Sequence, residues 1–161
     1  MTVATTALCE QIGQQLLARQ WRVGTAESCT GGMLAAAITD IAGSSGWFDE
    51  GLVTYANHSK QSLLGVPAET LATVGAVSQP VVEAMVAGVQ SRGAEVAVAT
   101  SGIAGPGGGS EDKPVGTVWF AWALLGQVHS ECKVFAGDRT QVRLSATEFA
   151  LSELLRLLTE A

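Results

Sequence analysis

The sequence has 161 residues, of which 47% are hydrophobic and 15% are charged, and its formal net charge at pH 7 is −6. This length and composition predict one globular domain, and the acidic balance excludes the basic surface that nucleic-acid binding requires. The N-terminus does not have the pattern of a secretory signal, and no apolar run reaches the roughly 18 residues of a membrane span. We therefore expect a cytoplasmic protein that binds neither nucleic acid nor a membrane.

The first half of the chain predicts alternating helices and strands. Apolar residues at helical spacing predict an amphipathic helix over residues 5–19, followed by a short strand over 22–26. A glycine pair then leads into an alanine-rich helix over 33–42. A second strand is predicted over 51–56, and Asn57 is expected to cap a helix that ends near residue 64.

The second half adds a buried strand and a hairpin. Ser78 is expected to cap a helix that ends at 92–93, and the alanine- and valine-rich run 95–101 predicts a strand buried on both faces. Segments 117–125 and 128–135 flank a Gly-Gln turn and predict an antiparallel hairpin, after which Asp138 can cap a final helix. Together these elements predict a single three-layer α/β domain, with a mixed, mostly parallel sheet flanked by helices.

Two loops follow predicted strands and are expected to face one pocket, because ligands of such sheets bind at the carboxyl ends of strands. The loop 27–32 brings small and hydroxyl residues to a helix start, which suits a phosphate or carboxylate. An ordinary helix cap formed by Ser28 or Thr30 explains it equally well. The loop 102–109 is rich in glycine but matches neither a P-loop nor the dinucleotide fingerprint, so a plain long turn stays an alternative.

A third segment, residues 43–60, contains a candidate nucleophile and a candidate base. Ser45 stands beside glycine, and Lys60 falls in a predicted first helical turn, where the dipole and burial would disfavour its ammonium form. Tyr55 could bridge the two and relay a proton. From chemistry alone, a solvated lysine, a core tyrosine and a turn serine explain the same residues better.

The sequence offers few residues that could support metal or thiol chemistry. The three cysteines are widely spaced without a CxxC pair, and the two histidines form no ligand motif, so neither a disulfide framework nor a metal site is expected. Cys29 lies near a predicted helix start and could be a nucleophile, although no histidine accompanies it in a cysteine-hydrolase signature.

Taken together, the motifs resemble the family of the C-terminal domain of competence-damage-inducible protein CinA, whose stand-alone members are nicotinamide-nucleotide amidases. The resemblance spans nearly the whole chain. It rests on segments that occur here in the family's order: 25–32, 43–45, 53–55, 75–78, 101–106, 113–118 and 137–139.

The resemblance implies that nicotinamide mononucleotide is hydrolysed to nicotinic acid mononucleotide and ammonia, with Ser45, Lys60 and Tyr55 matching the family's catalytic residues. It implies no metal or organic cofactor, a role in pyridine nucleotide recycling, and a homodimer. Arg139 is the expected phosphate cation, with Arg143 in reserve. The full set expected to bind substrate is Glu27, Ser28, Thr30, Gly31, Asn57, Gly102, Ala104, Gly105 and Arg139.

Two alternatives from the residues stay open. One is a non-catalytic, regulatory domain that binds a pyridine nucleotide through the two loops. The other is a cysteine hydrolase that uses Cys29 as its nucleophile.

Overall fold

A computed structural model describes all 161 residues. It contains one five-stranded sheet, six α-helices and one short 3-10 turn at Ser44–Gly46. The strands are β1 Val23–Glu27, β2 Phe48–Val53, β3 Val96–Gly102, β4 Thr117–Leu124 and β5 Gln127–Val134. The helices are α1 Val3–Arg19, α2 Met33–Thr39, α3 Asn57–Leu64, α4 Ala68–Val74, α5 Gln79–Ser91 and α6 Arg139–Glu160.

The sheet is mixed, with the strand order β2-β1-β3-β4-β5. Strand β1 pairs in parallel with both β2 and β3, while β4 pairs antiparallel with β3 and β5. The carboxyl ends of β1, β2 and β3 therefore lie side by side at one edge of the sheet. The chain segments that leave this edge begin at Ser28, Thr54 and Ile103.

Helices cover both faces of the sheet, as the predicted three-layer architecture requires. On one face α1, α2 and α6 pack with residues such as Ile12, Leu34 and Leu151 over the large aromatic side chains of β4. On the other face α5 contributes Val82, Met85 and other residues to a second, smaller cluster. None of the helices combines the length and apolar character needed to cross a bilayer.

Most predicted elements are present, with shifted ends. Strand β2 begins at Phe48 rather than at residue 51, and α2 ends at Thr39 rather than at residue 42. The helix α4 was not predicted, because its seven residues are too few for a clear apolar period.

Three helix starts were predicted from capping residues, with different outcomes. Asp138 forms a full capping box with Gln141 at the start of α6. Asn57 is the first residue of α3 rather than its cap, which is Ala56. Ser78 occupies the cap position of α5, but its hydroxyl donates to the carbonyl of Gly75 instead of capping the helix.

Candidate active site

Lys60 is a lysine buried in the protein, with 1% of its surface exposed. It lies in the first turn of α3, which follows directly from β2. Its Nζ contacts three oxygens: the carbonyls of Thr54 at 2.8 Å and Tyr55 at 3.0 Å, and the Oγ of Ser28 at 3.0 Å. No carboxylate lies within ion-pair distance of this amine.

Nζ of Lys60 donates to all three oxygens, and the hydroxyl of Ser28 donates to the carbonyl of Tyr55 at 3.5 Å. Once Lys60 loses a proton, its lone pair can replace one of these bonds and accept the proton of the Ser28 hydroxyl, 3.0 Å away. Burial without a counter-ion disfavours the ammonium form and holds the pKa of Lys60 below its ordinary value of 10.5. The arrangement is that of a general base poised to receive the proton of Ser28.

Ser28 is fixed by the ends of the three parallel strands. It follows the last residue of β1, and its N–H donates to the carbonyl of Thr100 on β3 at 3.0 Å. On the other side, the N–H of Thr54 donates to the carbonyl of Glu27 at 2.9 Å and joins the ends of β1 and β2. Because backbone bonds hold both segments, the contact between Ser28 and Lys60 depends on the sheet and not on a mobile loop.

The predicted meeting of Ser45 with Lys60 is wrong. Ser45 lies in the 3-10 turn before β2, whereas Lys60 comes after that strand, whose six residues span about 20 Å. Ser45 is exposed, and its backbone carbonyl accepts from Arg22 near the opposite edge of the sheet. The serine beside Lys60 is Ser28, which was predicted only as a substrate-binding residue.

Tyr55 occupies the predicted region but does not bridge a serine and the lysine. Its backbone carbonyl, not its hydroxyl, receives the bond from Lys60. The hydroxyl instead accepts from Nη2 of Arg139 at 3.3 Å, and 59% of the residue is exposed. Arg139 also donates to the carbonyl of Gly105 at 2.8 Å, so the two contacts hold its guanidinium at the rim of the site.

A cavity of about 230 Å³ opens over the Ser28–Lys60 pair. Seven predicted site residues line it together: Ser28, Tyr55, Asn57, Lys60, Gly102, Ala104 and Arg139. The remaining lining residues are Ala76, Val77 and Ser101, which were not predicted, and Cys29, which was predicted only as the nucleophile of the cysteine-hydrolase alternative. Ser101 is the last residue of the predicted strand 95–101 and the next to last of β3, and that position in the sequence was the signal that could have found it.

Four predicted substrate-binding residues do not line this cavity: Glu27, Thr30, Gly31 and Gly105. Glu27 is fully buried, and its carboxylate accepts from the N–H groups of Leu34 and Ala35 and from the hydroxyl of Thr30. It therefore satisfies the start of α2, where a carboxylate is stabilised by the helix dipole, and both of its oxygens are occupied by the protein.

The turn between Ser28 and α2 offers one free donor at the cavity. The N–H of Cys29, a residue that lines the cavity, donates to no backbone or side-chain oxygen of the protein. Unpaired N–H groups in a buried turn are rare, and next to a candidate nucleophile they are the donors expected to receive an oxyanion.

Cys29 lines the same cavity but is a poor nucleophile. Burial raises the pKa of its thiol to about 11, more than its own backbone N–H, Arg143 and Lys60 lower it. The reactive species of a cysteine is the thiolate, which is scarce at neutral pH under these conditions. Burial of the thiol therefore disfavours the cysteine-hydrolase alternative.

The candidate active site is identified by its residues and not by the size of its cavity. A larger cleft of about 320 Å³ lies between the β4–β5 turn and the end of α6, and it contains no serine–lysine pair.

The group His129, Glu131 and Glu153 has the ligand types and spacing that a metal ion requires. Glu153 is 14 residues, or about 21 Å, along α6 from Arg139. Both carboxylates of this group are already paired with cations, Lys133 and Arg156.

Comparison with known proteins shows which family the chain resembles. The sequence model of the family described as the CinA C-terminal domain matches residues 5–158 of this chain. The chain is 57% identical over 151 residues to the nicotinamide-nucleotide amidohydrolase PncC of Escherichia coli strain K12, covering 91% of this chain and 90% of that protein. It is 54% identical over 156 residues to PncC of Pseudomonas putida, covering 96% and 98%.

The fold is also found in solved structures. A CinA superfamily protein from Klebsiella pneumoniae 700603 superposes with a TM-score of 0.93 at 43% identity, covering 98% of this chain and 99% of that one. A protein named CihA from Agrobacterium tumefaciens gives the same TM-score and identity. The predicted architecture is thereby confirmed.

Proposed function

This chain belongs to the CinA C-terminal domain family, and we propose that it hydrolyses the amide of nicotinamide mononucleotide with Ser28 as nucleophile and Lys60 as general base. The observation that carries the mechanism is the 3.0 Å contact between the buried Nζ of Lys60 and the Oγ of Ser28. The relatives named nicotinamide-nucleotide amidohydrolases support the substrate.

The residues support a two-step reaction. Lys60 takes the hydroxyl proton of Ser28 as the Ser28 Oγ attacks the carboxamide carbon, and the free N–H of Cys29 receives the oxyanion. Lys60 then returns the proton to the amide nitrogen, and the C–N bond breaks. Ammonia is released, and the acyl group remains bound to Ser28 as an ester. In the second step Lys60 deprotonates a water that attacks the ester, and the proton goes back to Ser28 as the acid is released.

The test of this function is ammonia release from nicotinamide mononucleotide by the purified protein, with nicotinic acid mononucleotide identified as the second product. EDTA in the assay excludes contaminating metal chemistry. Stoichiometric formation of both products supports the proposal. A protein that binds the nucleotide without releasing ammonia would be the non-catalytic binding domain instead.

The catalytic rate should depend on pH through Lys60. The pKa of this buried amine is lowered, so protonation removes the base as the pH falls through that value. We expect kcat/KM to rise with pH along a single ionisation whose midpoint lies below the ordinary lysine value of 10.5. The measurement is kcat/KM between about pH 5 and pH 10. A rate that is flat or falls across this range would contradict the assignment.

Arg139 is proposed to bind the phosphate of the substrate, because it is the fixed cation that lines the cavity besides the catalytic lysine. Arg139→Ala should raise KM for nicotinamide mononucleotide about 10- to 100-fold, the value of one charge-assisted hydrogen bond, with little change in kcat. The KM for phosphate-free nicotinamide riboside should not change. Arg156→Ala, on the same helix but paired with Glu153, is the matched control. An equal effect on both substrates would argue against a phosphate contact.

The setting implied by the family resemblance completes the proposal: a cytoplasmic enzyme of pyridine nucleotide recycling that acts as a homodimer without a metal or organic cofactor. Light scattering of the purified protein measures the assembly directly, against a chain mass of 16.5 kDa.

A further inference from the structure

A second serine, Ser101, lines the cavity that opens over Ser28 and Lys60. It lies on β3, and 1% of its surface is exposed. Its hydroxyl forms no hydrogen bond within the protein, although the hydroxyls of its neighbours Thr100 and Ser28 both do. A buried hydroxyl normally has a partner in the protein. Because Ser101 has none and lies at the cavity, we expect its partner to be the molecule that the cavity binds.

Other buried hydroxyls without a partner differ from Ser101 in their location. The hydroxyls of Thr25 and Thr54 are sealed in the interior, and neither residue lines the cavity. The uncharged polar side chains of Tyr55 and Asn57 do line it, but both residues are exposed. Ser101 is therefore the buried, uncharged side chain that remains free to donate a hydrogen bond inside the cavity.

The sheet brings Ser101 next to Ser28. Strands β1 and β3 are parallel neighbours with Glu27 in register with Thr100, so the residues that follow, Ser28 and Ser101, occupy adjacent positions. The N–H of Ser28 donates to the carbonyl of Thr100 at 3.0 Å, which extends this pairing to the nucleophile. Neighbouring strands are about 4.8 Å apart, so the two serines are separated by one strand spacing.

The side chains of the two serines lie on the same face of the sheet. Thr100 faces α2, because its hydroxyl contacts that of Thr30 in the turn before this helix. Ser101 is the next residue along β3 and therefore faces the opposite side, where α5 packs. Ser28 shares this side, since its hydroxyl contacts Lys60 of α3, and α3 packs on α5. The two hydroxyls and the amine thus point into one cavity from the same side of the sheet.

The reaction proposed above creates a negative charge beside Ser101. When the Ser28 Oγ bonds to the carboxamide carbon, one electron pair of the C=O bond moves to the oxygen, and Lys60 takes the proton of Ser28. Sites that stabilise such an oxygen place several donors within hydrogen-bond distance of it, and a serine hydroxyl is one of the groups that serve. The turn after Ser28 supplies one free N–H, that of Cys29.

From this placement, and resting on the function proposed above, we propose that Ser101 is a catalytic residue whose hydroxyl donates a hydrogen bond to the oxyanion formed on the carboxamide. Ser101 keeps its own proton throughout, while the proton of Ser28 passes through Lys60 to the leaving ammonia. A charged oxygen is a stronger acceptor than the carbonyl from which it forms, so this bond strengthens in the transition state. Ser101 therefore acts on kcat more than on substrate affinity.

Ser101→Ala separates this role from a structural one. Loss of one oxyanion donor should lower kcat for nicotinamide mononucleotide about 10²- to 10³-fold. KM should stay within about threefold of wild type. The melting temperature should equal or exceed that of wild type, because the substitution removes a buried hydroxyl that has no partner in the protein. Ammonia release and thermal unfolding measure the two effects, and a structural serine would show the reverse pattern.

An aldehyde analogue tests the contact with the oxyanion directly. In nicotinamide mononucleotide with CHO in place of the carboxamide, Ser28 adds to the carbonyl carbon and forms a tetrahedral adduct whose oxygen occupies the oxyanion position. We expect Ser101→Ala to weaken inhibition by this aldehyde about as much as it lowers kcat. The dissociation constant of nicotinamide mononucleotide, measured by calorimetry with Ser28→Ala and with Ser28→Ala/Ser101→Ala, should be nearly the same.

Two further variants serve as comparisons. Ser101→Thr keeps a hydroxyl at the same position and should retain more of kcat than Ser101→Ala. Ser130→Ala removes a serine hydroxyl from β5, where it donates to Glu83 of α5 away from the cavity. This matched control should keep the kcat and KM of the wild type.

The inference is overturned if Ser101→Ala keeps kcat within about threefold of wild type, or if the aldehyde inhibits both proteins equally. A rise in KM and in the dissociation constant with an unchanged kcat also overturns it, because Ser101 would then bind the ground-state nucleotide. A wild-type protein that releases no ammonia would overturn the proposed function and this inference with it, a result distinct from any confined to the Ser101 variants.

Discussion

Replacing Ser28 with alanine is expected to lower kcat for nicotinamide mononucleotide by about 10⁴-fold or more, as removal of a catalytic nucleophile does in serine hydrolases. The structure holds no second nucleophile beside Lys60 that could replace Ser28. The hydroxyl beside the buried amine of Lys60 is that of Ser28, and the neighbouring Cys29 thiol has its pKa raised to about 11 by burial. Steady-state ammonia release measures the loss, and the variant should still bind the nucleotide.

Ser45→Ala is the matched control for this substitution. Both serines lie in short turns among small residues, but Ser45 is at the opposite end of β2 from Lys60. We expect this variant to keep the kcat and KM of the wild type. Full activity in Ser28→Ala together with its loss in Ser45→Ala would reverse the assignment.

The second large effect is expected from Lys60→Met, which keeps the length and apolar body of the side chain but removes the amine. Without a base the Ser28 hydroxyl is a weak nucleophile, and the leaving ammonia loses its proton donor. We expect kcat to fall by roughly 10³- to 10⁴-fold, and the residual rate to lose the pH dependence of the wild type. The measurement is kcat at several pH values.

Two comparisons separate this effect from a general disturbance of the fold. Lys133→Met removes a surface amine on β5, paired with Glu131 away from the cavity, and should leave kcat unchanged. Thermal unfolding of Lys60→Met shows whether the cooperative core is intact. A folded Lys60→Met variant with a kcat within about tenfold of wild type would mean that Lys60 is not the base.

The fold was predictable because hydrophobic periodicity and turn chemistry agreed along most of the chain. The buried run that became β3 and the Asp138 cap of α6 are examples in which a few residues specify the local structure. The short helix α4 and the start of β2 were not predictable, since tertiary packing decides such short or half-exposed segments.

The location of the site was predictable from the sequence, but the pairing of Ser28 with Lys60 was not. The rule that ligands bind at the carboxyl ends of parallel strands correctly brought loop 27–32 and the end of β3 to one cavity. Ser45 was matched to the family's catalytic serine by the resemblance, whereas the structure places Ser28, not Ser45, beside Lys60. A strand was already predicted between Ser45 and Lys60, and a strand separates the residues at its two ends.

The same topology explains why Ser28 meets Lys60 across 32 positions of sequence. Strands β1 and β2 are parallel neighbours, so the residues that follow them emerge at the same edge. The pairing order of strands is set by packing of the whole sheet and is not visible in a local pattern. Roles of polar residues such as Glu27, which serves the start of α2, likewise depend on contacts that only the folded chain provides.

The central claim, a serine ester at Ser28, is tested most directly by identifying the acylated residue. Protein mixed with nicotinamide mononucleotide is quenched in acid during turnover, digested, and analysed by fragment sequencing, because Ser28, Cys29 and Ser45 all lie between Arg22 and Lys60. The account predicts an oxygen ester of nicotinic acid mononucleotide on Ser28. An ester on Ser45, or a thioester on Cys29, would contradict it.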